Sequence, residues 1–243
     1  MSKIVCNSPP LKALTDLLTT VFFSTNRVPL SIAAVSENAI AAALDLASQW
    51  LTNCLESHGH ICNTNAAHQI PTRLIAVNET PIRLVKLGGT NTTPQYTTLS
   101  HSWGGLDFLK LTSDSLDSFM KEVPFDKLTK TFQDAINITQ RLGIDYLWID
   151  SLCIIQDSIE DWEAESFLMS SIYGGSTLNI AAASAVDGSK GCFHELPTNR
   201  RTVRLWSTHT NDKSVPRYDL TPGRIFYEGT AGSQLASRAW GKC

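Results

Sequence analysis

The feature that most constrains this chain is an alternation of patterns between residues 96 and 183. Residues 96–99 are β-prone and run into a glycine-containing loop, and residues 129–142 place Phe132, Ala135, Ile136, Thr139 and Leu142 along one helical stripe. Gly143 stands where a helix C-cap is expected, and residues 146–149 form a short apolar run with Asp150 at its end. Residues 158–173 read as a second helix, opened by a capping arrangement of Ser158 with Asp161. Trp162, Glu165, Met169, Ile172 and Tyr173 fall near one stripe of it, Gly174 and Gly175 end it, and residues 177–183 read as another buried strand. Strand, helix, strand, helix, strand, with short loops and mostly apolar strands, predicts an α/β fold: a parallel-sheet core with flanking helices. Right-handed crossovers are expected.

Outside this block the pattern is looser. Residues 31–56 predict a helix, because Ile40, Leu44, Ala47, Leu51 and Cys54 recur at spacings of three and four. Residues 73–77 and 82–86 are strand candidates among Pro71, Pro81 and Gly88, and residues 200–206 and 224–227 are two more. The expected organisation is an N-terminal extension over 1–44 and one domain over 45–243, the core carrying N-terminal helical and C-terminal β-containing extensions. The 243 residues hold 20 Lys and Arg against 23 Asp and Glu, and a net charge of -3 argues against a nucleic-acid partner. No apolar run reaches the ~18 residues of a membrane span. Six cysteines without a secretion signal predict free thiols in a reducing, cytoplasmic compartment. Cys54, His58 and Cys62 recur at a spacing of four, but that spacing matches no common zinc finger and Gly59 interrupts the helix. Thiol packing is the preferred reading there, with no metal expected.

In an open parallel sheet, ligands bind beyond the carboxyl ends of the strands. Three loops share that edge: the run Ser100-His101-Ser102-Trp103-Gly104-Gly105, the stretch from Asp150 to Asp157, and the stretch from Ala183 to Phe193. Asp150 is open between holding a ribose hydroxyl or a metal-bound water and capping the turn that follows it. Cys153 is a nucleophile only if His101 lies within hydrogen-bond reach; otherwise it is a buried thiol. Gln156 either binds a ligand or seals its loop, and Trp103 beside Gly104 and Gly105 is either a stacking wall or a lid on the core. Neither a G-x-G-x-x-G nor a P-loop pattern is present. Glu165 falls near an apolar stripe, where an unpaired charge is costly, so it is expected to reach Arg141 or Arg238 or to face a pocket. Glu195 is a weaker acidic candidate.

These residues carry a family resemblance. The run from Tyr96 through His101 and Trp103 to Gly104 resembles the opening motif of the fungal heterokaryon incompatibility (HET) domain. The run Leu142-Gly143-Ile144-Asp145-Tyr146-Leu147-Trp148-Ile149-Asp150-Ser151-Leu152-Cys153-Ile154-Ile155-Gln156-Asp157 resembles its central motif. Asp161-Trp162-Glu163, Glu165-Ser166, Met169, Ile172-Tyr173, the run Leu178 to Ala182, Asp187-Gly188 and Gly191-Cys192-Phe193 continue it in register. Upstream, Cys54, His58 and Cys62, then Pro71 to Ile75, look like the usual lead-in, so the resemblance spans residues 45–240.

The resemblance implies a role in fungal non-self recognition, with growth arrest and programmed cell death after incompatible cells fuse. It implies a fold similar to Toll/interleukin-1 receptor (TIR) domains, some relatives of which cleave nicotinamide dinucleotides with a pocket glutamate. Carried to this chain, that glutamate is Glu165 rather than Glu163, with Asp150 orienting the sugar. Ser100, His101, Trp103, Gly104, Cys153 and Gln156 would line the ligand, joined by Arg238 and Trp240. Two departures stand out. Arg238-Ala239-Trp240 opens a family motif whose closing Gln-Glu is replaced by Gly241-Lys242-Cys243, and Gly174-Gly175 stands where a polar pair is usual. Three readings follow: a cell-death effector working by self-association, downstream of an incompatibility or receptor-type protein; an NAD-cleaving hydrolase; or an inactive or regulatory truncated paralogue. No cofactor is firmly implied, and NAD enters as a candidate substrate.

Overall fold

The computed structural model describes residues 37–57, 69–87, 94–183, 185–193, 203–205 and 218–220. Five strands form one sheet: β1 (Arg73–Ala76), β2 (Arg83–Lys86), β3 (Tyr96–Ser100), β4 (Tyr146–Trp148) and β5 (Leu178–Ala181), in the order β2-β1-β4-β3-β5. β3 pairs parallel with β4 and with β5, as the alternation predicts. The sheet as a whole is mixed, because β1 runs antiparallel to both β2 and β4. The reason is local: six residues separate β1 from β2, enough for a hairpin but too few for the crossover that parallel neighbours need. Beyond the sheet, β6 (Val203–Leu205) pairs antiparallel with β7 (Tyr218–Leu220); the expected strand at 224–227 lies outside the described residues.

The helices are α1 (Glu37–Ser57), α2 (Leu116–Phe119), α3 (Lys130–Arg141), α4 (Asp150–Cys153) and α5 (Ile159–Gly174). The signals at Ser158 and Gly143 act as read, and the structure adds a cap at Thr129. The Thr129 hydroxyl accepts from the Phe132 amide at the start of α3, and the Ser158 hydroxyl accepts from the Asp161 amide at the start of α5. Gly143 follows α3 with φ +73°, the left-handed conformation that favours glycine.

Adjacent strand residues point to opposite faces of a sheet. The Thr97 hydroxyl lies 2.7 Å from that of Thr139 on α3, whereas the Tyr96 hydroxyl donates to the Ile172 carbonyl of α5 at 2.7 Å. Helices α3 and α5 therefore cover opposite faces. Trp148, fully buried, meets Tyr173 of α5 edge-on, and α1 lies against α3, where Arg141 donates to Asp45 at 2.5 Å. The apolar spacing of α1 puts Leu44, Ala47, Leu51 and Cys54 in the core.

One assignment on α5 needs correcting. Trp162 is 55% exposed, not part of the buried stripe. The inward position of that first turn belongs to Asp161, which accepts from Arg73 and from the Ile155 amide. With Asp161 turned in, the next residue turns toward solvent. No described helix is long and apolar enough to cross a membrane.

Candidate functional site

The chain leaves β3 for β4 on one side, then crosses back to β5 on the other, so the strand order reverses between β3 and β5. The carboxyl ends of these strands form the crevice where open α/β sheets hold ligands. Three predicted residues meet beside it. Trp103 donates through Nε1 to Asp150 Oδ2 at 3.1 Å, and the buried His101 brings Nε2 to 4.0 Å from Asp150 Oδ1. Asp150 Oδ1 also accepts from the Ser151 amide at 2.7 Å. Asp150 therefore caps the turn at the start of α4 and joins the loops after β3 and β4.

Aromatic rings back this group. His101 meets Phe132 edge-on at 5.0 Å, and Phe108 meets Phe132 at 5.6 Å and Trp103 at 5.5 Å. The Lys110 ammonium sits 4.9 Å from the Phe108 ring centre and 5.4 Å from that of Trp103, within cation–π range. Gly104 (φ +61°) lets the β3 loop touch the β5 loop: a Cβ there would come within 2.5 Å of the Asp187 Cβ. A Cβ on Gly105 would meet open space. Phe108 and Lys110 carry no motif signal and are placed here only by the path of the loop.

The remaining predicted residues divide. Ser100 donates to Asn179 Oδ1 at 3.1 Å, bracing β3 against β5. Gln156 donates to the Asp150 and Ile154 carbonyls at 3.2 and 2.9 Å, which closes its own loop. Cys153 is fully buried, and burial pushes its thiol up to about 12, so it is a core group. Arg238, Trp240 and Glu195 lie outside the described residues, as do His58 and Cys62. Among the described residues, no three His, Cys, Asp or Glu side chains are grouped to hold a metal ion.

Glu165 belongs to a second, internal cluster under β1. It is 1% exposed, is hydrogen-bonded to Thr72 and lies near Arg73 and Asp161. Burial raises its pKa, against the lowering effect of Thr72 and Arg73, and its Oε2 has no hydrogen-bond partner among the described residues. The expected partner Arg141 is engaged with Asp45 instead. Arg73, which lies in the lead-in run Pro71 to Ile75 but is given no role there, organises this cluster. Its Nε donates to the Cys153 carbonyl at 2.7 Å, and its Nη2 reaches both Asp161 oxygens at 2.6 and 2.5 Å. Asp150 and Glu165 lie in different clusters, joined by the buried Cys153, on whose thiol both carboxylates act.

Asp134 is a further missed residue. It is buried, pairs with Lys130 and accepts from the Cys192 amide at 2.9 Å. Beside it, Thr131 donates to the Gly188 carbonyl at 3.0 Å and accepts from the Gly191 amide at 3.2 Å. A Cβ on Gly188 would come within 2.9 Å of Thr129, and one on Gly191 would collide with the Asp134 carboxylate. The Asp187-Gly188 and Gly191-Cys192-Phe193 motifs therefore lay the β5 loop onto the start of α3.

The family model described as Heterokaryon incompatibility protein (HET) matches residues 96–241, from the first residue of β3 past β7. No curated protein and no solved structure matches the chain. With more than half of its residues under one family description, this chain belongs to the fungal heterokaryon incompatibility (HET) family.

Proposed function

We propose that this chain is a cell-death effector of fungal non-self recognition, TIR-like in fold, that acts in the cytoplasm by self-association downstream of an incompatibility or receptor-type protein. The observation that carries the reading is the outer surface of α5, where Ile159, Trp162 and Phe167 are 73%, 55% and 84% exposed. Large apolar side chains grouped on a surface mark interaction sites. Three parallel strands with helices on both faces support the TIR-like reading. The test is inducible expression in a fungal host together with light scattering of the purified chain over a concentration series. Growth arrest and a mass that rises with concentration are expected; growth arrest from a strictly monomeric chain refutes self-association.

NAD cleavage is the second reading, favoured by one observation: the buried Oε2 of Glu165, which has no hydrogen-bond partner among the described residues. In that reaction the C1′–N bond breaks with its electron pair leaving on nicotinamide, a carboxylate stabilises the cationic sugar, and water then adds at C1′ and gives up a proton to solvent. The carboxylate must be ionised and open to the sugar. Burial and the raised pKa of Glu165 oppose both, which places this reading second. NAD consumption by the wild-type chain, lost in Glu165→Gln, would promote it.

A further inference from the structure

Resting on the self-association reading, we infer that the outer face of α5 is a two-fold contact, on which a second copy of this chain lays its own α5 antiparallel. Five large apolar side chains are exposed among the described residues, and three of them, Ile159, Trp162 and Phe167, stand on this one helix. The inner side of α5 is apolar as well: Ile172 is buried, and Leu168, Met169 and Tyr173 pack against the core. A helix with large apolar residues on both sides is covered in the working molecule.

The relief of this face selects the occupant. Side chains four apart form ridges along a helix, and the ridges of one helix pack into the grooves of another. Two such rows share the outer side of α5. Ile159, Glu163 and Phe167 form a tall row, each of them exposed. Beside it Ser166, Ser170 and Gly174 form a shallow row, in which the Ser166 hydroxyl is turned back onto the Glu163 carbonyl. The tall row starts nearer the N-terminus and the shallow row ends nearer the C-terminus, so a reversed second copy sets tall on shallow in both directions. With the two-fold axis between Ser166 and Phe167, Ile159 faces Gly174 of the second copy, Glu163 faces Ser170 and Phe167 faces Ser166. Each contact then occurs twice, as an isologous interface requires. Charge agrees with this register. Helix α5 has no Lys or Arg, Asp161 is held by Arg73 and Glu165 is buried, which leaves Glu160 and Glu163 as its outward acids. At a rise of about 1.5 Å per residue, the two Glu163 positions stand about 10 Å apart along the helix, near the screening length at physiological salt. A parallel contact would set Glu163 against Glu163 and leave the shallow row unfilled. One helix crossing covers less than the ~800 Å² per partner of a standard interface, so the dimer is weak and forms as concentration rises.

The experiment is sedimentation velocity on the full chain over a concentration series, with disulfide trapping read by mass spectrometry of the linked peptides, which separates a new link from links of the native cysteines. Wild type is expected to pass from monomer to dimer and no further. Phe167→Ser, at an exposed position, is expected to weaken the dimer about tenfold or more while melting like wild type. Glu163→Cys mixed with Ser170→Cys should give a 163–170 link. Neither variant alone should link to itself comparably, because like positions stand farther apart than a disulfide spans. A dimer undiminished in Phe167→Ser overturns this inference and leaves self-association standing, as does a dimerising mixture with no 163–170 link. A 163–163 link from Glu163→Cys alone, stronger than the mixed link, overturns it in favour of a parallel contact. Growth past the dimer overturns the two-fold closure in favour of an open, heterologous assembly. A monomer at every concentration removes both the inference and the reading beneath it.

Discussion

Replacing Arg73 with methionine tests whether the cluster under β1 holds the site together. Arg73 is buried and is the cation between α4 and α5: it clasps Asp161, bonds the Cys153 carbonyl and faces Glu165. Methionine keeps most of the apolar stem and removes the charge. The Asp161 carboxylate keeps the bond it accepts from the Ile155 amide, and the Asp161 amide still donates to Ser158, but the carboxylate loses its counter-ion beside a second carboxyl group. Breaking a buried pair from one side costs about 3–5 kcal/mol. For a domain of this size each kcal/mol lowers Tm by roughly 2–4 °C, so a fall of roughly 6–20 °C is expected. The assay is thermal and urea unfolding of Arg73→Met, Asp161→Asn and the double variant. The summed single losses should exceed the double loss by about 1–3 kcal/mol of coupling, because a neutral amide at position 161 no longer requires the cation. Additive losses, or an Arg73→Met loss below about 1 kcal/mol, would refute the argument that this pair fastens α5 to β1.

Three other perturbations test the same geometry. Gly104→Ala meets a left-handed φ and the Asp187 Cβ, so it should cost about 2–4 kcal/mol, whereas Gly105→Ala should be near neutral; paired thermal melts decide. Glu165→Gln should change the pH dependence of stability. A carboxyl whose folded pKa is raised stabilises the fold below its unfolded pKa and loses that contribution as pH rises through the folded value. Wild type should therefore weaken relative to Glu165→Gln as pH rises above the ordinary glutamate range, and parallel profiles would show that Glu165 is not desolvated. Finally, Cys153, fully buried with its thiol pushed up to about 12, should resist iodoacetamide in the native chain and react once unfolded, read by mass spectrometry. Fast native labelling would mean that α4 opens.

By itself the sequence determined the core alternation of β3, α3, β4, α5 and β5, the cap at Ser158, the turn at Gly143 and the family. Each is a local signal, carried by apolar period, cap chemistry or a contiguous motif, and local signals survive in one dimension. It also brought His101, Trp103, Gly104 and Asp150 to one edge, because loops after parallel strands share an edge by topology. What it left open turned on contacts between residues far apart in the chain. Asp150 and Glu165, grouped as one site in the motif reading, occupy separate clusters. Trp162 faces out because Arg73, on a strand far upstream, draws Asp161 inward. Asp134 and Thr131 give the late glycine motifs a structural purpose that neither segment shows alone. Only the tertiary structure decided these points, since a buried charge takes its place from the partner that compensates it, and that partner is chosen by packing rather than by spacing along the chain.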